Sequence, residues 1–259
     1  MEKAIIVAVL AFIIFVAASN YLSTLNETAV TLTTSTTTTT TTLFITPTGT
    51  IELPPSVVYG SAAIKVPAVD EEGNGVVTWL KVITIPGKGR VLVDINQLLF
   101  WVDTQYSIRV AEYVAENVTG INVTNMDFIY SIETNSSLVE GPSAGAALTV
   151  ATIAALENKS IDPKTMITGT ISPDGTIGPV GGIVEKATAA KDVGATLFIV
   201  PTGQSVQTYY LPERECKRVG PLTYCTTTYN EERVDVSKDV GIEVKEVSNI
   251  EEAVSYFLA

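Results

Sequence analysis

The 259-residue chain contains no histidine. Because the usual catalytic serine triad depends on imidazole as general base, this absence excludes a Ser-His-Asp arrangement. The usual tetrahedral zinc sites are built from Cys and His, and with only 2 cysteines the sequence predicts no metal site and no cofactor. A serine nucleophile in this chain needs another base, and a lysine kept neutral by burial is the main candidate.

Positive charge is also scarce. The sequence has 16 Lys and Arg against 28 Asp and Glu, which gives a net charge of −12. Proteins that bind a phosphate backbone need clustered basic residues, so the composition predicts no nucleic-acid partner. The length fits one catalytic domain with appendages, since single cores stop growing at roughly 250 to 300 residues.

The N-terminal segment has the composition of a membrane-directed sequence. Residues 4–25 carry no charge, and residues 4–18 are continuously apolar. The longer stretch is sufficient to span about 30 Å of hydrocarbon, whereas the shorter apolar core suits a signal peptide. We expect residues 1–25 to be a transmembrane anchor, with a cleaved signal peptide as the alternative. The first basic residue after Lys3 is Lys65, so the charge asymmetry predicts a membrane-anchored protein whose catalytic domain is extracytoplasmic.

Residues 26–52 are rich in threonine and include the unbroken run Thr36–Thr42. This composition cannot bury enough apolar surface to fold. It predicts a disordered stalk between membrane and domain, either O-glycosylated or unmodified.

The remaining residues, 53–259, are expected to form an α+β domain. Segments rich in Val, Ile and Thr predict a run of antiparallel strands over 57–66, 75–85 and 90–95. Apolar spacing and cap residues predict helices over 104–118, 144–156, 183–193 and 249–258. Further strands are predicted over 127–133, 196–200 and 241–247, with a hairpin formed by 165–172 and 176–180.

The two cysteines, Cys216 and Cys225, bracket a short polar segment with a Gly220-Pro221 turn signal. Free cysteines are usually buried, and these lie among charged residues and threonines. In an oxidising compartment we expect a disulfide that closes a surface loop; two free thiols are the alternative.

Ser143 stands in Glu140-Gly141-Pro142-Ser143-Ala144-Gly145, directly before a predicted helix of small residues. Unpaired N–H groups and the positive end of the helix dipole favour a developing oxyanion there, as acyl transfer requires. Serine is also a common helix N-cap, so the local sequence leaves a structural role open.

Lys186 follows Gly181-Gly182 near the start of the third predicted helix, among apolar and alanine neighbours. Burial there would lower the pKa of the amine and let it act as a base at neutral pH. A surface lysine is the alternative.

These segments resemble the proteolytic domain of Lon-type proteases. The resemblance is carried by residues 140–145, Ile167-Thr168-Gly169, Val180-Gly181-Gly182 and Lys186, and it covers about residues 53–259. It implies a Lon-protease-like domain of mixed sheets with packed helices. It also implies that Ser143 is the nucleophile, Lys186 the general base and then acid, and Thr168 the residue that orients the lysine.

Among the other positions, some match the family pattern and some differ from it. Glu140 matches the acidic position near the Ser-Lys dyad, and the neighbouring Gly141 and Ala144 are taken as supporting residues. Family members commonly carry a glutamate where this chain has Lys81 and two histidines where it has Ile129 and Ser131. Residues 204–236 resemble an insertion relative to the usual domain.

The expected function is therefore a membrane-tethered serine endopeptidase that hydrolyses unfolded or flexible proteins. No Gly-x-x-x-x-Gly-Lys-Ser/Thr motif occurs in the chain, so activity independent of ATP is expected. Family members form rings, and a homo-oligomer is expected by that resemblance. Two alternatives are an inactive protease-like surface scaffold and a galactokinase-like small-molecule kinase, since a Gly/Ser-rich turn at a helix N-terminus also suits phosphate.

Overall fold

The computed structural model describes residues 44–45, 51–52, 58–94, 102–133 and 141–258. The chain divides into two compact units, Met1–Pro54 and Pro55–Ala259. In the first unit, strand β1 (Phe44–Ile45) pairs antiparallel with β2 (Ile51–Glu52), within the segment predicted as a stalk. The expected anchor, residues 1–25, lies outside the described residues. In the described part of the chain, no helix has the length and apolarity needed to span a membrane.

The second unit contains a four-stranded mixed sheet in the order β3-β4-β6-β5. Strand β3 (Gly60–Val69) pairs antiparallel with β4 (Gly75–Pro86), and β4 pairs antiparallel with β6 (Met126–Glu133). Strand β5 (Val91–Val93) lies parallel to β6. The predicted antiparallel role of residues 90–95 was therefore wrong. Helix α1 (Val102–Thr119) crosses between β5 and β6, and such a crossover is what parallel pairing needs.

Helix α2 (Gly145–Glu157) consists largely of small apolar residues and is buried along nearly its whole length. It packs against α1, β3 and β4. A helix that is apolar on all sides belongs in a protein interior, which matches its place in the main core. The Tyr130 hydroxyl on β6 lies 2.9 Å from Thr152 Oγ1, so these two buried hydroxyls pair with each other.

A second, parallel sheet has the order β13-β10-β7, formed by Glu243–Val247, Leu197–Pro201 and Thr165–Ile167. Helix α3 (Ile183–Asp192) lies in the connection from β7 to β10. The predicted hairpin was wrong in its first arm, because β7 joins this sheet. The hairpin itself is short, with β8 (Thr170–Ile171) paired to β9 (Ile177–Gly178).

The chain closes with helix α4 (Ile250–Val254), which is shorter than the predicted 249–258. Asn249 Oδ1 accepts the Glu252 N–H at 2.9 Å, so the predicted cap is present. The predicted α+β class is confirmed.

A long ribbon stands between β10 and β13. Strand β11 (Val206–Val219) pairs antiparallel with β12 (Leu222–Asp235) over their full length. Cys216 lies opposite Cys225, and a disulfide joins them. The sequence predicted a surface loop here. Most ribbon residues are exposed, so the strands lack the one-sided apolar alternation by which a strand is recognised.

Candidate active site

Ser143 lies in a single 3-10 turn, Pro142–Ala144, that leads directly into α2. Gly141 precedes the turn with φ 101° and ψ 163°, a conformation that glycine adopts without steric cost. Proline is well suited to the first position of such a turn because its φ is already fixed. Gly141 and Ala144 thus shape the backbone around Ser143, while Glu140 lies outside the described residues.

The Ser143 hydroxyl does not cap a helix. Ala144 occupies the N-cap position of α2, and no side chain caps either α2 or the 3-10 turn. Ser143 is half-buried, at the surface of the core and within reach of solvent. The structural role that its sequence left open is therefore not the role the residue plays here.

The backbone of Ser143 is held by the two residues that follow β7. The Gly169 N–H donates to the Ser143 carbonyl at 3.0 Å, and the Thr168 hydroxyl donates to the same oxygen at 3.3 Å. In return, the Ala146 N–H donates to the Gly169 carbonyl at 3.0 Å. Thr168 is fully buried. The resemblance assigned Thr168 to the lysine, whereas in this structure its hydroxyl supports the chain that carries the serine.

Lys186 lies in the first turn of α3. Gly182 caps this helix in the left-handed region at φ 67°, and the lysine side chain turns back over the helix start, as long helical side chains do. The Lys186 Nζ donates to the Gly181 carbonyl at 3.0 Å, and the residue is only 4% exposed. The prediction of a buried lysine agrees with this position.

Burial lowers the pKa of Lys186 to about 8, because the charged form loses its hydration. The neighbouring Glu185 carboxylate acts in the opposite direction and raises the pKa of the lysine. Glu185 Oε2 is buried and has no hydrogen-bond partner among the described residues. The site therefore contains an amine that is substantially neutral in mildly alkaline solution.

Strand β7 connects the surroundings of Ser143 with those of Lys186. Met166 on β7 packs in one apolar cluster with Ile183 and Ala187 of α3, on either side of the lysine in the chain. Thr168, two residues after Met166, holds the serine backbone. Within the described residues no hydrogen bond joins Ser143 Oγ to Lys186 Nζ, and the partner of Nζ there is the Gly181 carbonyl.

Two further observations concern the possible metal ligands and the backbone next to Gly181. No group of three or more His, Cys, Asp or Glu side chains that could hold a metal occurs in the part of the chain that the structure describes.

Gln204, which no sequence motif singled out, hydrogen-bonds the backbone of Val180 next to Gly181. A glutamine that binds a backbone leaves no periodic or compositional signal, so only the fold could reveal it.

Comparison with known proteins supports the same identification. A family model of the Lon protease (S16) C-terminal proteolytic domain matches residues 115–224, which include Ser143, Thr168 and Lys186. The Lon protease of Lawsonia intracellularis is 31% identical over 172 residues, which make up 64% of this chain and 20% of that protein. The Archaeal Lon protease of Thermoplasma volcanium is 36% identical over 88 residues, covering 34% of this chain and 13% of that protein. The Archaeal Lon protease of Archaeoglobus fulgidus is 33% identical over 88 residues, covering 34% and 14%.

The chain thus spans a fifth or less of the length of these curated relatives. All three relatives are named as proteases, and this favours a peptidase over the small-molecule kinase as the function of this chain. The matched segment contains the 3-10 turn, strand β7 and helix α3, which are the elements that carry the serine, the threonine and the lysine. Residues 115–224, which carry the serine, the threonine and the lysine, therefore match the Lon protease (S16) C-terminal proteolytic domain.

Proposed function

We propose that this chain is an endopeptidase that hydrolyses unfolded or flexible polypeptides through Ser143 and Lys186. The observation that carries the proposal is the buried Lys186 amine, whose pKa is lowered to about 8. In a chain without histidine, this amine is the group best suited to take a proton from a serine hydroxyl.

In the proposed reaction, neutral Lys186 accepts the Ser143 hydroxyl proton while Oγ bonds to the scissile carbonyl carbon. The resulting tetrahedral intermediate collapses, the C–N bond breaks, and the Lys186 ammonium gives its proton to the departing amine. The acyl group then rests on Ser143 as an ester. Water, deprotonated by the again neutral lysine, attacks this ester. The bond from the acyl carbon to Oγ breaks, the Lys186 ammonium returns its proton to Ser143 Oγ, and the second product leaves.

The 3-10 turn supplies the electrostatic part of the proposal. The N–H of Gly145 already donates to Pro142, and that of Ala146 donates to Gly169. The earlier N–H groups, on Ser143 and Ala144, lie in the first turn, where no intrahelical partner exists. We assign them to the oxyanion, and one such donor typically contributes about 2.7 to 4 kcal/mol to transition-state stabilisation.

The bond between the Lys186 amine and the Gly181 carbonyl is compatible with this chemistry, because a neutral amine has two N–H groups and one lone pair. One N–H stays on that carbonyl, and the lone pair is left for the Ser143 hydroxyl proton. Catalytic hydrogen bonds commonly tighten only when substrate is bound. We propose that an extended substrate segment, which excludes water from the site, brings the Ser143 hydroxyl and this lone pair together.

The cellular setting is proposed from the sequence. Uncharged residues 4–25 support a membrane tether, and the late appearance of basic residues supports an extracytoplasmic domain. The absence of a phosphate-binding loop motif in the 259 residues supports cleavage without ATP. A homo-oligomer is proposed from the family resemblance, and the mass of the purified particle in solution tests it.

Cleavage of an unfolded, fluorescently quenched polypeptide by the full chain tests the function. Ser143→Ala and Lys186→Ala should each abolish cleavage, whereas Lys191→Ala, an exposed lysine on the same helix, should leave it unchanged. Addition of ATP should make no difference. Retained cleavage in Ser143→Ala or Lys186→Ala would refute the assignment, and an inactive parent protein would favour the scaffold alternative.

A further inference from the structure

The turn that binds the Lys186 amine is held by a side chain that belongs to none of the motifs around Ser143, Thr168 and Lys186. Gln204 Oε1 accepts the Val180 N–H at 3.0 Å, and Gln204 Nε2 donates to the Val180 carbonyl at 2.7 Å. One amide therefore binds both backbone groups of a single residue. A primary amide can accept and donate at the same time through its two terminal atoms, whereas a carboxylate cannot donate and an ammonium cannot accept.

Val180 is the last residue with a side chain before Gly181 and Gly182. Two successive glycines have wide backbone freedom, so the direction of the Gly181 carbonyl depends on what holds the chain at either end. Gly182 is held at one end as the cap of α3, and Val180 is held at the other by Gln204. The carbonyl between them receives the Lys186 Nζ.

Gln204 is itself firmly anchored. Its N–H donates to the Pro201 carbonyl at 3.1 Å, and its carbonyl accepts the Gln207 Nε2 at 2.8 Å. The next residue, Ser205, donates its N–H to the Glu246 carboxylate of β13 at 2.8 Å. Hydrogen bonds from the Gly203 N–H and from the hydroxyl and N–H of Ser205 lower the pKa of Glu246, so the carboxylate stays charged and bound into acidic solution.

We infer that Gln204 is a positioning residue for Lys186, acting through the Val180–Gly181 turn. The inference rests on the proposed function for its catalytic consequence, because the hydrogen bonds themselves concern only the lysine and its turn. Gln204 is also the first residue of the segment that resembles an insertion, directly before the β11–β12 ribbon. The segment 204–236 thus includes a residue that contacts the turn beside Lys186.

Substitution Gln204→Met tests the inference, because it keeps the length of the side chain and removes both hydrogen bonds. Asn230→Ala is the matched control: its exposed amide donates to Glu213 on the ribbon, and the variant loses an amide hydrogen bond away from the Val180 turn. The first readout is the pKa of Lys186 in the full chain, followed by NMR of the lysine side-chain carbons and assigned by comparison with Lys186→Arg.

In Gln204→Met the loosened turn should admit water, and the pKa of Lys186 should rise by about half a pH unit or more toward that of an ordinary lysine. Glu185 is the carboxylate that raises this pKa, and it is present in every protein compared. The second readout is peptide cleavage: kcat should fall about tenfold with KM within about twofold of the parent, as expected for lost alignment without lost binding.

An unchanged Lys186 pKa in Gln204→Met, or an equal change in Asn230→Ala, overturns the inference. If the parent cleaves nothing but the pKa still rises, the peptidase proposal fails and the positioning of Lys186 stands. If Gln204→Met does not fold, hydrogen exchange at the Val180 amide of the parent decides the matter. Strong protection supports the bond to Gln204, and exchange at the rate of an open chain contradicts it.

Discussion

The lowered pKa of Lys186 makes a quantitative prediction about how activity depends on pH. The proposed reaction needs the neutral amine, and the folded protein holds its pKa at about 8 instead of the ordinary 10.5. When the pH falls through 8, Lys186 takes up a proton, the base is lost and peptidase activity decreases. Activity should therefore increase with pH and level off once the lysine is deprotonated.

The expected magnitude follows from the same pKa. With a pKa of about 8, about 9% of Lys186 side chains are neutral at pH 7 and about 90% at pH 9, a tenfold increase. An ordinary lysine would be only about 0.03% neutral at pH 7, so burial increases the amount of available base about 300-fold. That gain corresponds to about 3 kcal/mol.

The assay is kcat/KM on an unfolded peptide substrate from pH 6 to pH 10 at constant ionic strength, with Ser143→Ala as baseline. The logarithm of kcat/KM should rise by one for each pH unit below pH 8 and reach a plateau by about pH 9. A rate that still climbs steeply at pH 10 would mean an exposed, ordinary amine. A flat profile from pH 6 to pH 9 would mean that no base with this pKa takes part, and either result would refute the reasoning.

Four other results are expected. Glu185→Gln removes the carboxylate that raises the pKa of Lys186, so the midpoint of the pH profile should move below 8. Lys186→Met should raise the free energy of unfolding at pH 7 by up to about 3 kcal/mol in denaturant titrations, because burial of the charged lysine destabilises the parent. This gain should disappear above pH 10.5, since between pH 8 and pH 10.5 the unfolded parent binds more protons than the folded parent and the parent gains stability as the pH rises. Gly145→Ala places a methyl group 2.8 Å from the Ile171 backbone, so the helix start must shift and kcat should fall at least tenfold while circular dichroism stays near that of the parent. Reduction of the ribbon disulfide should expose residues 206–235 to limited proteolysis and leave the melting temperature of the sheets unchanged within about 2 °C, because the bond closes only a local loop.

The helices of the fold were predictable because their apolar periodicity is set by packing on one core. Ile108, Ala111 and Ala115 recur at helical spacing, and all three are buried in α1. The small residues of α2 predicted a buried helix for the same reason. The burial of Lys186 also followed from its alanine and isoleucine neighbours.

Strand pairing was less accessible to the sequence. Whether β5 pairs parallel or antiparallel depends on the crossover through α1, and β7 leaves its hairpin to pair with β10 across the α3 connection. The ribbon strands were missed because both of their faces meet solvent. These features depend on contacts between segments far apart in the chain, which local periodicity does not encode.

The details of the site were also beyond the sequence. That Thr168 donates to the Ser143 carbonyl, and Lys186 to the Gly181 carbonyl, depends on side-chain rotamers selected by the surrounding packing. Gln204 reaches Val180 only because the end of β10 passes beside the turn before α3. Motif spacing indicated the candidate residues, but not which atoms bond.

The most direct test of the central claim is covalent labelling of Ser143 by a serine-directed sulfonyl fluoride, followed by intact mass and peptide mapping across a pH series. The account predicts a single label on Ser143 whose rate rises with a midpoint near pH 8, and almost no labelling of Lys186→Ala at any pH. Labelling of Lys186→Ala at the rate of the parent, or a label on any other serine in place of Ser143, would contradict it.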